Sequence, residues 1–384
     1  MLGLRQSKNG KDKDDHASDY QEFMPPPVFM NLYLTIRQNH DYPSINKKDL
    51  INFISGLDSE LLSQVRDFLD SKDFRLTSRY WRFLMRRNLI DICNNGIEKY
   101  GTSVARDYFT WTDFNEDQIH NLLSNNIDPE IVNIFKVHDG FTRTESIKHN
   151  ILIAIAYNHL TNSKLLEDFN ELQNQGYLFG GHPFHLYKDK AITLDGLISI
   201  MEFSTFKNFI KNESLICEIG AGSGRTAEAI LTAVPGINYI IADLPPASFL
   251  AMHRLRLVFP DFKILYIDND KKLQIAMENM SDWNVIFCLP HLLENIPNKS
   301  IDLLLAVDCL HEMSNKMRKY VSEIATRKCL FFYFKVWEKT FIPFDNLALD
   351  AALKSDYFVD SSWEEVLDRP CSFPGNFREF IYRT

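Results

Sequence analysis

The sequence predicts an open, mostly parallel α/β sheet with helices on both faces, preceded by an all-helical segment. Three observations carry that reading. Apolar runs at 215–219, 238–242, 284–290, 301–308 and 329–337 alternate with helical patterns, as in a parallel sheet covered on both sides. Residues 214–227 (SLICEIGAGSGRTA) spell a strand, a glycine turn and a helix start, the order that builds a ligand site in such a sheet. Residues 28–176 show helical periodicity and turn signals instead.

In chain order, residues 1–22 are rich in Lys, Asp, Ser and Asn, and Pro25, Pro26 and Pro27 follow. The segment 1–27 therefore reads as a disordered tail with an extended exit. Leu61, Leu62, Val65, Phe68 and Leu69 share one helical face behind an acidic start at Asp58 and Glu60. A second helix is expected over 80–92 with Asn94-Asn95-Gly96 as its stop, a third over 147–160, and a fourth over 163–172 closed by Gly176. Aromatic residues such as Tyr80, Trp81 and Trp111 suit a core, or a platform for the flat face of a sugar. The expected division is a helical domain over 28–180, serving as acceptor cover or dimerisation unit, and an α/β domain over 181–384.

Length and composition set bounds. The chain of 384 residues suffices for two domains, and 45% hydrophobic residues suffice for packed cores. A net charge of −9 without a Lys/Arg cluster argues against a nucleic-acid partner. Six cysteines lack C-x-x-C spacing, and Cys217, Cys288 and Cys329 lie within apolar strand-like runs. They read as reduced, buried thiols of a cytoplasmic protein. No uncharged apolar run is long enough to span a membrane, which leaves only a peripheral contact open. No signal peptide opens the sequence.

The junction 180–187 (GGHPFHLY) carries His182 and His185. Metal binding is not expected there, because no Cys or carboxylate nearby completes a ligand set. Turn chemistry accounts for the Gly-Gly pair and the proline, and both histidines remain candidates for acceptor contact. Asp195 follows at the start of the next helix, where it suits the helix dipole.

The glycine stretch separates two ligand classes. A dinucleotide site wants G-x-G-x-x-G, whereas here Glu218 precedes Gly220, Gly222 and Gly224 at every second position. A carboxylate in front of the glycines repels a pyrophosphate and suits a ligand carrying an ammonium and a sulfonium. Asp243 ends the second strand, where an acidic side chain can accept both hydroxyls of a ribose. Residues 247–259 read as a helix and 263–267 as a short extra strand. The sheet is expected to close with a turn at Phe373-Pro374-Gly375 and an antiparallel strand over 377–382.

The Glu-x-Gly-x-Gly-x-Gly run resembles the first motif of class I S-adenosylmethionine (SAM) methyltransferases. Residues 218–227 (EIGAGSGRTA), 239–246 (YIIADLPP), 302–313 (DLLLAVDCLHEM) and 373–383 (FPGNFREFIYR) together resemble the sugar O-methyltransferase family of bacterial surface-polysaccharide clusters. The resemblance covers about the last 200 residues and implies a Rossmann-like SAM-binding domain. It carries SAM contacts to Glu218, Gly220, Gly222 and Asp243, with Gly224 completing the glycine motif, and implies a sugar or glycan acceptor. It does not supply a base. By position, His311 and Asp308 lie at the end of the fourth strand, three apart, where one helical turn puts them on the same side. His311 has the better unperturbed pKa, with Asp308 or Glu312 to orient it; Asp308, His182 and His185 are the other candidates. A methyltransferase with another small acceptor and a non-catalytic SAM-binding subunit are the alternatives.

Overall fold

The computed structural model describes residues 58–102, 143–166, 185–187, 190–234, 236–342, 345, 347–371 and 376–384. The predicted tail over 1–27, His182, the start of the helical domain and the turn at 373–375 lie outside them.

The first half is helical where it is described. Asp58 caps α1 (Ser59–Asp70) by accepting from the amides of Glu60 (2.8 Å) and Leu61 (3.4 Å). The expected apolar stripe of α1 is buried at Leu61, Val65, Phe68 and Leu69. After the single turn α2 (Asp73–Leu76), Ser78 caps α3 (Arg79–Asn95), and Gly96 ends it at φ +79°. Helix α4 (Arg143–Asn162) covers the predicted third helix. Residues 163–166 form turns, so the predicted fourth helix does not start at 163; the rest of it lies outside the described residues.

A short hairpin, β1 (His185–Tyr187) and β2 (Lys190–Ile192), leads to α5 (Leu194–Phe206), capped by Thr193. The alternation then runs β3 (Leu215–Ile219), α6 (Arg225–Ala233), β4 (Asn238–Ala242), α7 (Ala247–Val258), β5 (Ile264–Ile267), α8 (Asp270–Glu278) and β6 (Val285–Cys288). It continues with β7 (Ile301–Val307), α9 (Asn315–Lys328) and β8 (Cys329–Trp337), then the small hairpin β9 (Lys339–Ile342) and β10 (Leu347–Asp350), and ends with β11 (Glu364–Pro370) and β12 (Phe377–Arg383). The eight-stranded sheet has the order β11-β12-β8-β7-β3-β4-β6-β5. Strands β3 to β8 pair in parallel, whereas β12 is antiparallel to both β8 and β11. This is the doubly wound, Rossmann-like architecture that the sequence predicts. The extra strand β5 lies at the edge, and β6 takes the place beside β4.

Side-chain alternation divides the core between the two faces. Ile216, Ile241, Leu303 and Leu305 pack with α5, α6 and α7 on one face, while Cys217, Ile240, Leu304 and Ile286 pack with α8 and α9 on the other. The helices of the first half join these same clusters. Leu61, Val65 and Phe68 belong with the first face, and Tyr80 and Leu84 with the second. Polar contacts tie the parts further: Ser248 Oγ donates to Gln64 Oε1 (2.7 Å) and Tyr266 Oη to Asp67 Oδ2 (3.3 Å). Among the described residues no helix is long and apolar enough to cross a membrane.

Candidate functional site

Strand β3 is the switch point of the sheet, with β4 on one side and β7 on the other. Crevices at the carboxyl ends of strands around such a point are where this architecture holds ligands. The turn after β3 is tight. A Cβ on Gly220, at φ +71°, would stand 2.7 Å from Cys309 Cβ, so only glycine lets the turn lie against the segment after β7. Gly224, at φ +77°, serves packing instead: its Cβ would meet Ala251 of α7 at 3.1 Å.

The carboxylate of Asp243, just past β4, is held by two backbone amides. Gly222 donates to Oδ2 at 2.8 Å and Leu244 to Oδ1 at 2.6 Å. Burial pushes its pKa up to about 7, against the pull of these two bonds. Asp243, Gly220 and Gly222 share the wall of one cleft of about 550 Å³ including its open mouth. Leu244 and Pro290 line it beyond β4 and β6; Cys309, Glu312 and Met313 line it beyond β7. Thr77, Ser78 and Trp81, at the start of α3, and Met317 of α9 line it as well.

Glu218 stands behind this wall, not on it. Its neighbour Ile219 faces the cleft, and strand alternation turns Glu218 the other way. There it is 1% exposed and accepts from Tyr239 Oη at 2.8 Å. Burial raises its pKa to about 8, with the Tyr239 bond and Arg225 opposing. The direct ligand contact expected of Glu218 is therefore not offered by its position.

The pair expected from Asp308 and His311 is not formed. Asp308 adopts φ +55°, and the helical segment after it is only a 3-10 turn over Leu310–Glu312, so the two side chains are not carried on one helical face. Asp308 Oδ2 accepts from Arg225 Nη2 (2.9 Å) and Lys335 Nζ (3.1 Å). The same cations hold Glu202: Arg225 bidentately (2.7 and 3.0 Å) and Lys335 at 2.6 Å. His311 is 4% exposed, with Trp337 and Phe377 edge-on and its Nδ1 3.5 Å from the Trp337 amide. Burial first, then Lys335 and Arg318, drive its pKa down to about 3. His185 lies on β1, where only the backbone is described.

The sequence reading missed the quartet of Arg225, Glu202, Lys335 and Asp308, and a second buried network in which Arg254 binds Glu228 (2.5 Å) and Asp195 (3.0 Å). Both left a signal. Lys335 is the one charged residue in the strand CLFFYFKVW, and Glu202 interrupts an apolar helix run; a buried charge needs a partner. The contribution of Thr77 and Ser78 to the cleft left none, because it depends on how α3 docks, whereas Trp81 carried the alternative of a platform for a sugar face. Among the described residues no cluster of His, Cys, Asp or Glu is arranged to hold a metal.

No family model and no curated protein matches the sequence. Among solved structures, the chain is similar to one in the complex between the Haloferax volcanii Trm112 methyltransferase activator and a methyltransferase, at 14% identity over 49% of this chain and 92% of that one, with a TM-score of 0.32. It is also similar to a SAM-dependent methyltransferase from Aquifex aeolicus (14% identity, 57% and 96% covered, TM-score 0.32). A third is a SAM-dependent methyltransferase from Clostridium acetobutylicum (10% identity, 59% and 98% covered, TM-score 0.32). Overlaps this slight carry no argument about activity, and the architecture rests on the strand order itself.

Proposed function

We propose that the chain is a SAM-dependent methyltransferase that methylates a hydroxyl, with a sugar of surface-polysaccharide biosynthesis as acceptor. The observation that carries the cofactor reading is Asp243, a buried carboxylate on the cleft wall at the switch point, beside Gly220 and Gly222. The remaining wall fits the same ligand. Asp243 can accept from a vicinal diol, and Leu244, Pro290 and Trp81 offer apolar surface to a flat base. The acceptor class is supported by the sequence motifs at 239–246, 302–313 and 373–383.

Bound SAM supplies a methyl group made electrophilic by its sulfonium. The chain's own task is to position the acceptor hydroxyl and to take its proton, and a positioned base adds about 10²–10⁴-fold. Asp308 suits that role better than His311, whose pKa of about 3 makes it a weak proton acceptor. Asp308 Oδ2 is fixed by two cations, while Oδ1 is buried without a hydrogen-bond partner. Burial raises its pKa, with Lys335 opposing. Its left-handed backbone costs about 1–3 kcal/mol, a strain that collects at functional sites.

Calorimetry with SAM and with NADH tests the cofactor: SAM binds and NADH does not, and the reverse would end the proposal. For the base, Asp308→Asn should lower kcat at least ~100-fold with SAM affinity within a few-fold, while His311→Ala keeps most turnover. Methyl transfer from labelled SAM to nucleotide sugars and lipid-linked glycans is the readout for the acceptor. Transfer only to a non-sugar hydroxyl would replace the acceptor class.

A further inference from the structure

The buried network around Arg254 touches the glycine turn itself, and the methyl-transfer reading assigns it no role. Of the turn residues 220–224, only Ser223 carries a polar side chain. It lies between Gly222 and Gly224, both at positive φ. Glycines lose more freedom on ordering than any other residue, so this turn gains most from a side chain anchored outside it. Ser223 is buried and supplies that anchor. Its Oγ accepts from Arg254 Nη1 at 3.3 Å and is hydrogen-bonded to the side chain of Tyr100, which is fully buried.

Each partner is fixed in turn. Arg254 Nε donates to Glu228 of α6 (2.5 Å) and its Nη1 to Asp195 of α5 (3.0 Å). Burial opposes the guanidinium charge, but Glu228 and Asp195 outweigh it and hold the pKa of Arg254 above its ordinary value. Ala251, three residues before Arg254 on α7, meets the turn at Gly224, so one face of α7 touches the turn at two points. Tyr100 belongs to the helical first half, in the 3-10 segment Ile97–Thr102 that follows α3. On the other side of Ser223, the amide of Gly222 donates to Asp243 Oδ2 at 2.8 Å. Ser223 therefore joins the first half to the residue that holds the cleft carboxylate.

Resting on the SAM reading, we propose that Ser223, held by Arg254 and Tyr100, is a positioning residue that fixes the Gly222 amide on Asp243 and makes cofactor affinity depend on the docking of the first half. The Gly222 bond favours the carboxylate form of Asp243 and so opposes the effect of burial. A ribose diol donates to that same form, and affinity rises as Asp243 ionises. Loosening Ser223 weakens the Gly222 bond, so Asp243 ionises at higher pH and SAM loses affinity. A network that only held the fold would lower the melting temperature and leave both quantities unchanged.

Calorimetry with SAM on the full chain from pH 6 to 9, for wild type, Ser223→Ala, Tyr100→Phe and the double variant, tests this. Tyr100→Phe keeps the ring in the core and removes only the hydroxyl; thermal melting confirms that each variant folds. Ser223→Ala should weaken SAM by ~5–20-fold and Tyr100→Phe by ~3–10-fold, the scale of one or two lost hydrogen bonds. Because Tyr100 acts through Ser223, the double variant should bind no more weakly than Ser223→Ala alone. In each variant the midpoint of the rise in affinity with pH should move upward by ~0.3–1 pH unit. Wild-type affinity in both single variants, additive losses in the double variant, or an unmoved midpoint overturns the role of Ser223 and leaves the cofactor reading standing. A wild type that binds no SAM overturns both.

Discussion

The two sides of the β3 terminus each hold two carboxylates, in different surroundings. On one side Glu202 and Asp308 are matched by Arg225 and Lys335, and every cation touches both anions. On the other, Asp243 and Glu312 line the cleft, with no Lys, Arg or His among its described lining residues. Alternation along the chain makes the division, since Asp308 joins the quartet and the next residue, Cys309, lines the cleft. The difference teaches how each buried anion is held: Glu202 and Asp308 by side-chain cations, with Asp308 Oδ1 left over, and Asp243 by the backbone amides of Gly222 and Leu244.

Lys335→Met should break the balanced side with the largest effect. Lys335 is fully buried, and its loss leaves two carboxylates sharing Arg225. Removing one partner of a buried ionic network costs about 3–5 kcal/mol, measurable by denaturant unfolding. Adding Asp308→Asn to that variant should recover part of the loss by restoring the balance. Burial alone would raise the Glu202 pKa, but Arg225 and Lys335 hold it below its usual value. The stabilisation it contributes is therefore present above the unfolded-state pKa and is lost as pH falls through the folded one. A Lys335→Met protein as stable as the wild type would remove the distinction between the two sides.

The cleft side should respond in ligand affinity. Asp243→Ala should weaken SAM by ~10–100-fold, the worth of a charge-assisted bond pair. In the free protein Asp243 titrates near 7 because burial favours its neutral form, whereas a diol donating to it favours the carboxylate. SAM affinity should thus rise as pH increases from 6 to 8 and level off above, with proton release on binding below about 7. Calorimetry across that range in two buffers of different ionisation enthalpy reads both effects. Asp243→Asn should show no such pH dependence, and an equally flat wild-type profile would place the diol elsewhere.

The sheet was legible because five apolar runs and one glycine turn are local signals, and the observed β8, Cys329–Trp337, has the predicted limits. The cleft was legible at Gly220, Gly222 and Asp243 for the same reason: each ends or follows a strand whose place in the sheet is dictated. The surroundings of Glu218 and His311 were not legible, because they depend on which face of the strand or turn each side chain leaves. Strand alternation could have turned Glu218 away from Ile219, but it could not have found Tyr239 as its partner. Glu312 enters the sequence reading as an orienting partner for His311, and Trp81 as core or a sugar platform, not as walls of the cofactor cleft. Their position is set by a 3-10 turn and by helix docking, neither of which has a periodicity to read.

Glu218 sharpens the comparison with the smallest effect, because it belongs to neither side. It sits behind the cleft wall, bound to Tyr239, with a pKa raised from 4.5 to about 8 chiefly by burial. Between those two values the unfolded chain gives up this proton and the folded chain keeps it. Folding stability from this group is present below the unfolded-state pKa and declines as pH rises through about 8. Glu218→Gln keeps an acceptor for Tyr239 and cannot ionise, so it escapes that decline. The variant should gain on the wild type in melting temperature as pH goes from 6 to 9, while its SAM affinity stays within a few-fold. A melting difference that does not change with pH would mean Glu218 is charged in the folded protein. If SAM affinity also fell tenfold or more, Glu218 would be a ligand contact after all, and the cleft would hold three carboxylates instead of two.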